Sequence, residues 1–286
     1  MRGAPGRIRH TAGMETALII ACFVVGLLFG SFANVAIHRV PDGDSVVRPP
    51  SACPACGRRV RPLDNIPVVS WFVLRGRCRD CGAAISVRYP LVELAGGVLF
   101  AVTAWRFLAP PGDLDADPWA LPAYLLFAWL LLVVAVIDAR TRRIPNKLTY
   151  PLTPVLLVLV AVAAVGNATP GAALRALLGG VAAFAALLVI ALISPRGLGM
   201  GDVKLAAALG IALGYLSWGH VLLGVFGGFL LGGVIALVLL ATRLRSRKDL
   251  LPFGPYLAAS ALLTVWWGDA VIGWYVGVTG LADLVG

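Results

Sequence analysis

Long apolar segments and short polar ones alternate along the chain, and this pattern predicts eight membrane-spanning helices. A hydrocarbon core about 30 Å thick is crossed by roughly 20 consecutive apolar residues in a helix. Eight segments reach or approach that length: residues 17–37, 89–108, 120–137, 148–165, 173–193, 203–217, 219–241 and 256–278. The short alternating segments that are typical of transmembrane barrels are missing from the sequence. We therefore predict an all-α polytopic membrane protein.

Composition supports this class and sets one segment apart. Hydrophobic residues make up 59% of the 286 and charged residues 13%, whereas charged residues account for about 25% of soluble domains. One long polar stretch runs from Ile37 to Tyr89, between the first two spans. We predict two functional regions: residues 14–88, which contain the first span and this polar insert, and residues 89–286, which form a membrane-embedded bundle.

The distribution of positive charge predicts the orientation in the membrane. Of the 24 lysines and arginines, 19 lie in or beside the loops that follow spans one, three, five and seven. Because basic loops stay in the cytoplasm, these loops and the polar insert should be cytoplasmic and both termini external. The net charge of +10 then reflects topology and does not indicate a nucleic-acid partner.

The first nine residues conflict with this orientation, since they place Arg2, Arg7 and Arg9 on the external side. We therefore expect translation to start at Met14, immediately before the first span, a hypothesis that N-terminal sequencing tests. The span itself is too long for the apolar core of a signal peptide, and no small-residue cleavage site follows it.

Four cysteines in the polar insert form two Cys-x2-Cys pairs of the kind found in structural zinc sites: Cys53, Cys56, Cys78 and Cys81. The 21 residues between the pairs slightly exceed the usual spacing, but disulfides rarely persist in the cytoplasm. A four-thiolate site leaves no coordination position open for catalysis, so the zinc should stabilise the fold. Free or redox-active cysteines are the alternative, and Cys22 in the first span is expected to be a core residue.

Arginines surround these cysteines, and they allow two interpretations. Those nearest the pairs should partly offset the negative charge of a four-thiolate site: Arg58, Arg59, Arg77 and Arg79. A basic insert could instead bind nucleic acid, but the aromatic residues available for base stacking are few, chiefly Trp71 and Phe72. We predict no nucleic-acid partner.

Two aspartates should lie at one membrane depth. Asp138 closes span three and Asp202 opens span six, so the predicted orientation puts both at the cytoplasmic ends of their helices. Two carboxylates at about 3 Å cannot both ionise, so in aspartic proteases one stays ionised and activates water while the other stays protonated and donates to the scissile carbonyl. Solvation of Asp138 beside arginines and helix capping by Asp202 are the alternative roles.

Signatures of other hydrolases are missing from the chain. The three histidines form no His-Glu-x-x-His motif, and no Gly-x-Ser-x-Gly elbow occurs. A proton-coupled transporter is one alternative to a protease, although its relay should cross the membrane and Asp269 is the one acid near mid-depth in the later spans. A non-enzymatic assembly protein anchored by a zinc module is the other alternative.

Several sequence blocks, in order over nearly the whole chain, resemble the type IV prepilin peptidases, the Gly-x-Gly-Asp aspartic proteases of bacterial membranes. The blocks are Gly30 to Pro41, the four cysteines, Arg88 to Glu93, Asp138 with Thr141, Ile144 and Pro145, Gly199 to Lys204, and Pro252 to Pro255. Each block is weak alone, but together they are specific. Ala33 and His38 depart from the residues commoner in the opening block, and His38 is expected to be an interfacial residue.

The resemblance implies a bacterial inner-membrane enzyme in which Asp138 and Asp202 form the catalytic pair. Its substrates would be prepilins and pseudopilins, cut after a glycine at the cytoplasmic face of the membrane. It also implies that S-adenosylmethionine methylates the new N-terminus, and no residue identifies a site for this cofactor. Glu93 has two candidate roles, stabilisation of its helix N-terminus and a part in methyl transfer or substrate docking.

Overall fold

The structure is a computed structural model that describes residues 12–110, 114–194, 198–244 and 251–279. Within those ranges the chain is helical and forms no β-strand. The helices are α1 (Ala12–Arg39), α2 (Val69–Val73), α3 (Arg88–Leu108), α4 (Leu121–Thr141), α5 (Asn146–Gly166), α6 (Pro170–Ile193), α7 (Met200–Leu216), α8 (Trp218–Ala241) and α9 (Gly254–Thr279). A short 3₁₀ helix at Pro62–Asn65 precedes α2.

Seven helices in the described part of the chain are long and apolar enough to cross a membrane, namely α1, α3, α4, α5, α6, α8 and α9. The predicted sixth span corresponds to α7, whose 17 residues cover about 25 Å at 1.5 Å per residue. Nearly all of its side chains from Asp202 to Tyr215 are buried, so α7 lies inside the bundle. The eight predicted spans therefore correspond to the eight long helices, and the predicted fold class is confirmed.

The centre of the bundle is formed by α4 and α7. Tyr124 of α4 donates a hydrogen bond to the carbonyl oxygen of Ala212 in α7 at 2.6 Å. The indole N–H of Trp129, also in α4, donates to the carbonyl oxygen of Phe29 in α1 at 2.9 Å. Polar groups at membrane depth must be satisfied within the protein, so these bonds fix the central helix against two neighbours.

Glycines bring two helix pairs into close contact. In the α1–α3 pair, a Cβ added to Gly30 would lie 2.6 Å from the Cα of Glu93. In the α6–α7 pair, a Cβ added to Gly179 would lie 2.6 Å from the carbonyl oxygen of Gly210. Small residues permit this backbone approach between membrane helices. The first contact fixes the start of α3 against α1 and so positions Glu93.

Polar contacts mark the two ends of the bundle. At the end that holds the cysteine insert, Lys147 Nζ donates to the carbonyl oxygen of Gly43 at 2.6 Å. At the opposite end, the Tyr215 hydroxyl donates to Asp117 Oδ2 at 2.7 Å. Successive connections alternate between these ends, so the basic loops that were predicted to share one side of the membrane lie at one end of the bundle. The arginines on which the expected start at Met14 rests lie outside the described residues.

Candidate active site and cysteine cluster

Asp138 lies in the last turn of α4, at the end of the bundle that holds the cysteine insert. Its side chain is buried, and Oδ2 accepts a hydrogen bond from the backbone N–H of Gly254 at 2.9 Å. Gly254 begins α9, and the partial positive charge of a helix N-terminus stabilises a carboxylate. This approach requires glycine, because a Cβ at position 254 would lie 2.8 Å from the same oxygen.

Asp202 is the third residue of α7, and its side chain is also buried. Oδ2 accepts a hydrogen bond from the backbone N–H of Gly199 at 3.2 Å, a contact that satisfies a free donor at the helix start. The alternative role of Asp202 as the N-cap residue is wrong, because Gly199 occupies the N-cap position. The other carboxylate oxygen, Oδ1, is buried without a hydrogen-bond partner.

The segments that carry these two aspartates are in direct contact. A Cβ added to Gly201 would lie 2.9 Å from the Cβ of Ile144, so glycine lets the start of α7 pack on the segment that follows α4. Beside this contact, Lys204 Nζ donates to Asn146 Oδ1 at 3.0 Å. The two sequence blocks therefore form one local structure.

This local structure brings Asp138 and Asp202 close enough to interact electrostatically. The charge of the Asp138 carboxylate acts on Asp202, and both side chains are buried at the same end of the bundle. When one carboxylate is ionised and the other protonated, such a pair can take a proton from water and give a proton to a carbonyl oxygen. The arrangement has the parts of an aspartate-based hydrolytic site.

Asp269, the acid considered above for a proton relay, takes part in an ion pair. Its Oδ2 lies 2.5 Å from Nη2 of the buried Arg106, and its Oδ1 lies 3.5 Å from Nε2 of His220. The cluster joins α3, α8 and α9. Asp269 therefore serves as a structural contact between these helices.

The four cysteines of the insert form a cluster that can hold a metal ion. Their sulfur atoms all lie within 4.8 Å of one another, and a set of four thiolates suits tetrahedral zinc. In each pair a glycine four residues after the first cysteine has a positive φ, +70° at Gly57 and +72° at Gly82. Each glycine N–H donates to the carbonyl of that cysteine at 2.9 Å. Both turns favour glycine, which adopts positive φ without steric cost.

Backbone donors prepare one of these sulfur atoms for metal binding. The N–H groups of Cys56 and Ala55 lower the pKa of Cys53 to about 7. Because the thiolate is the form that binds a metal, these donors favour ligation by Cys53, whereas burial and the neighbouring thiols raise the pKa of Cys81 to about 12.

The arginines around the cluster contact carboxylates. Arg79 and Asp64 lie 2.6 Å apart, and this pairing lowers the pKa of Asp64 below its ordinary value. Arg58 and Asp80 lie 3.1 Å apart. Arg58 and Arg79 were expected to offset the negative charge of the thiolates. Because they also neutralise neighbouring carboxylates, only part of their charge is available for the thiolates.

A cavity of about 770 Å³ lies between α1, the start of α3 and the cysteine insert. Glu93 lines it, and Glu93 Oε2 accepts a hydrogen bond from the backbone N–H of Val68 at 2.7 Å. Since α3 begins at Arg88, Glu93 lies in the second turn and its carboxylate binds the insert. The exposed His38 lines the same cavity.

Two residues with close contacts at these sites were not identified from chemistry in the sequence. Gly254 touches Asp138 across 116 positions of the chain, and Asn34 lines the cavity from α1. Each lies in a block that resembles the prepilin peptidases, and those blocks were the available signal. Composition and spacing alone carry no sign of either contact.

Comparisons with known proteins match both parts of the chain. Residues 24–107 match the model of the Bacterial Peptidase A24 N-terminal domain, and residues 125–237 match that of the Type IV leader peptidase family. No solved structure gives a significant match.

Relatives match over nearly the whole chain. A protein of Stutzerimonas stutzeri is 33% identical over 94% of this chain and 97% of its own length. One of Aeromonas hydrophila is 36% identical over 89% of this chain and 92% of its own length, and one of Bacillus subtilis is 34% identical over 89% and 96%. Each bears the name prepilin leader peptidase/N-methyltransferase.

Proposed function

The chain belongs to the type IV leader peptidase family, and we propose that Asp138 and Asp202 are the catalytic pair with which it removes the leader peptides of prepilins and pseudopilins. It is a multi-pass protein of the bacterial inner membrane, with lipid around its apolar helices. Cleavage takes place after a glycine at the cytoplasmic face, where the basic loops place both aspartates.

The observation that carries this proposal is the unpartnered Oδ1 of Asp202 beside Asp138. A buried acceptor without a partner costs about 1–3 kcal/mol, so this atom indicates a position kept for a proton or a water molecule. One backbone N–H holds each aspartate: Asp138 Oδ2 accepts from Gly254, and Asp202 Oδ2 accepts from Gly199. The pair is thus oriented while one acceptor remains free.

Hydrolysis by such a pair follows from proton sharing. The ionised carboxylate takes a proton from water, and the water oxygen attacks the carbonyl carbon of the glycine. The protonated carboxylic acid gives its proton to the carbonyl oxygen. As the C–N bond breaks, the first residue protonates the leaving amine and the second recovers its proton from the adduct, so the pair returns to its starting charge.

The family relationship extends the proposal to methylation of the new N-terminus. When bound, S-adenosylmethionine would supply the methyl group to the new amine nitrogen, with the electron pair of the broken C–S bond staying on sulfur and the amine proton passing to solvent. The shared name of the relatives supports this second activity. The donor set of the cysteine cluster supports a structural zinc ion held by Cys53, Cys56, Cys78 and Cys81.

The two activities divide between the two regions of the chain. Residues 14–88 contribute α1 and the zinc-binding insert to methyl transfer, and residues 89–286 contribute the peptidase bundle. The glycine contact between α1 and α3 joins the regions, so the start of α3 faces the insert although it belongs to the bundle.

The catalytic pair is tested by replacing each acid with its amide. Asp138→Asn and Asp202→Asn should each reduce leader removal from a purified prepilin below detection, because an amide neither takes a proton from water nor gives one to the carbonyl. Asp42→Asn, in the exposed loop after α1, is the matched control and should cleave like the wild type. Leader removal that survives in either active-site variant contradicts the proposal.

A further inference from the structure

The cavity beside Glu93 has the size and the walls of a cofactor site. Its volume of about 770 Å³ lies within the roughly 300–1,000 Å³ that is usual for small-molecule sites. Three parts of the chain enclose it: one face of α1, the first turns of α3, and the insert that carries the cysteine cluster. Aromatic rings of Phe32, Trp71 and Tyr89 are among its walls.

Polar atoms without partners lie in these walls. Asn34 is 4% exposed, and its Nδ2 donates to the carbonyl oxygen of Tyr89 at 3.0 Å. That bond fixes the orientation of the amide and leaves Oδ1 buried with no partner. Nε of Arg88 is likewise buried and unpartnered. A buried polar atom of this kind is rarely left unsatisfied, so the cavity offers one acceptor and one donor to a ligand.

Glu93 adds a carboxylate that the surrounding structure holds in place. Its Oε2 accepts the Val68 N–H at 2.7 Å, and the Ser31 side chain also interacts with its carboxylate. Val68 has φ +64° and ψ −53°, and the N–H of Val69 donates to the Pro67 carbonyl at 2.6 Å. This is the strained form of the γ-turn, which a valine adopts only where contacts enforce it.

We propose that this cavity binds the methyl donor, an S-adenosyl sulfonium compound, with Glu93 and Asn34 contacting its positively charged part and Arg88 its carboxylate. That a methyl donor binds at all rests on the proposed function. The structure adds where it binds and which residues contact it. Oxygen atoms and aromatic faces both attract a cation. The donor set therefore suits a ligand that carries a sulfonium, an ammonium and a carboxylate on a nucleoside.

This site is separate from the aspartate pair. Glu93, Asn34 and Arg88 lie on α1 and α3, whereas Asp138 and Asp202 are held by α4, α7 and α9. The insert that forms one wall also carries the cysteine cluster. A zinc ion held by these cysteines would stabilise that wall, which links the presence of the cysteines to methyl transfer.

The test is equilibrium dialysis of labelled S-adenosylmethionine alone, without prepilin, against the full-length zinc-loaded protein. The wild type should bind it, and Glu93→Gln and Asn34→Leu should each weaken binding at least tenfold, as expected for loss of a hydrogen bond to a charged group. Asp44→Asn, an exposed acid in the same insert, is the matched control and should bind like the wild type. Zinc content and size-exclusion profile report that each variant is folded.

A third variant tests the cavity without changing its polar groups. Val35→Trp places a large ring at a lining position of α1 and should also abolish binding while zinc is retained. Unchanged affinity in this variant, or in both polar variants, overturns the assignment, as does a wild type that does not bind S-adenosylmethionine. Methyl transfer by the same wild-type preparation is measured separately: if it proceeds while the variants bind normally, the assigned site is wrong and the proposed function stands.

Discussion

Gly254 offers the sharpest test of how the aspartate site is held, because its role depends on the space that a single methyl group would fill. A Cβ at this position would lie 2.8 Å from Asp138 Oδ2 and 3.2 Å from the Asp138 Cβ and Cγ. Gly254 also donates the backbone hydrogen bond that orients the carboxylate, at 2.9 Å. Gly254→Ala therefore perturbs Asp138 while leaving both acids in the chain.

The expected size of the effect follows from these distances. Ordinary van der Waals contact begins at 3.4 Å, so the added methyl group would displace the carboxylate or the start of α9 by about 0.6 Å. A misplacement of about 1 Å can lower a rate roughly 100-fold. We expect kcat/KM to fall about 10- to 100-fold, equivalent to about 1.4–2.7 kcal/mol of transition-state stabilisation.

The assay is cleavage of a purified prepilin by the detergent-solubilised enzyme, with kcat and KM measured separately. The loss should lie mainly in kcat, because substrate binding elsewhere on the bundle is unaltered, and the melting temperature should change little. Gly273→Ala is the matched control, since it makes the same substitution in the same helix where no atom lies within 4 Å of the added Cβ. A Gly254→Ala enzyme with kcat within twofold of the wild type would refute this account of the site.

Three further predictions concern other parts of the molecule. Replacing Cys53 and Cys56 by serine should release about one zinc ion per chain in metal analysis, because two ligands of a tetrahedral site are lost; an unaltered zinc content would rule out the cluster as the metal site. Tyr124→Phe should lower the free energy of unfolding by about 1 kcal/mol through loss of the bond to α7, whereas an unchanged melting temperature would show that this bond contributes nothing. Asp269→Asn should lower stability by about 1–3 kcal/mol, because the buried Arg106 loses its charged hydrogen-bond partner, but should retain leader removal in the folded fraction. Loss of cleavage in folded Asp269→Asn protein would instead indicate a role in the reaction.

The helices could be predicted from the sequence because the length and apolarity of a membrane span depend only on its consecutive residues. The predicted and observed spans differ mainly at their ends, which depend on capping contacts. At α7 the helix begins at Met200 and not at residue 203, so Asp202 lies inside the helix. Gly199 takes the N-cap position, and this local geometry decides which backbone N–H the Asp202 carboxylate accepts.

The depth of the two aspartates could also be predicted, since counting spans and charges puts both at cytoplasmic helix ends. The partner of Asp138 could not, because Gly254 lies 116 residues away and a glycine carries no chemical signal of its contact. The cavity could not be predicted from the sequence for a related reason. It depends on the approach of α1 to α3 and on Val68 at φ +64°, a conformation that side-chain preferences for valine argue against.

The central claim is that two acids far apart in the chain meet at one end of the bundle, and thiol cross-linking measures this most directly. In a Cys22→Ser background with the zinc cluster intact, Asp138→Cys and Asp202→Cys would be combined and treated with dibromobimane, which bridges thiols a few ångströms apart. The account predicts a bridged peptide pair by mass spectrometry, and none when Asp138→Cys is combined with Gly171→Cys, which lies at the start of α6 at the opposite end of the bundle. Absence of the 138–202 bridge, while monobromobimane labels each cysteine singly, would contradict it.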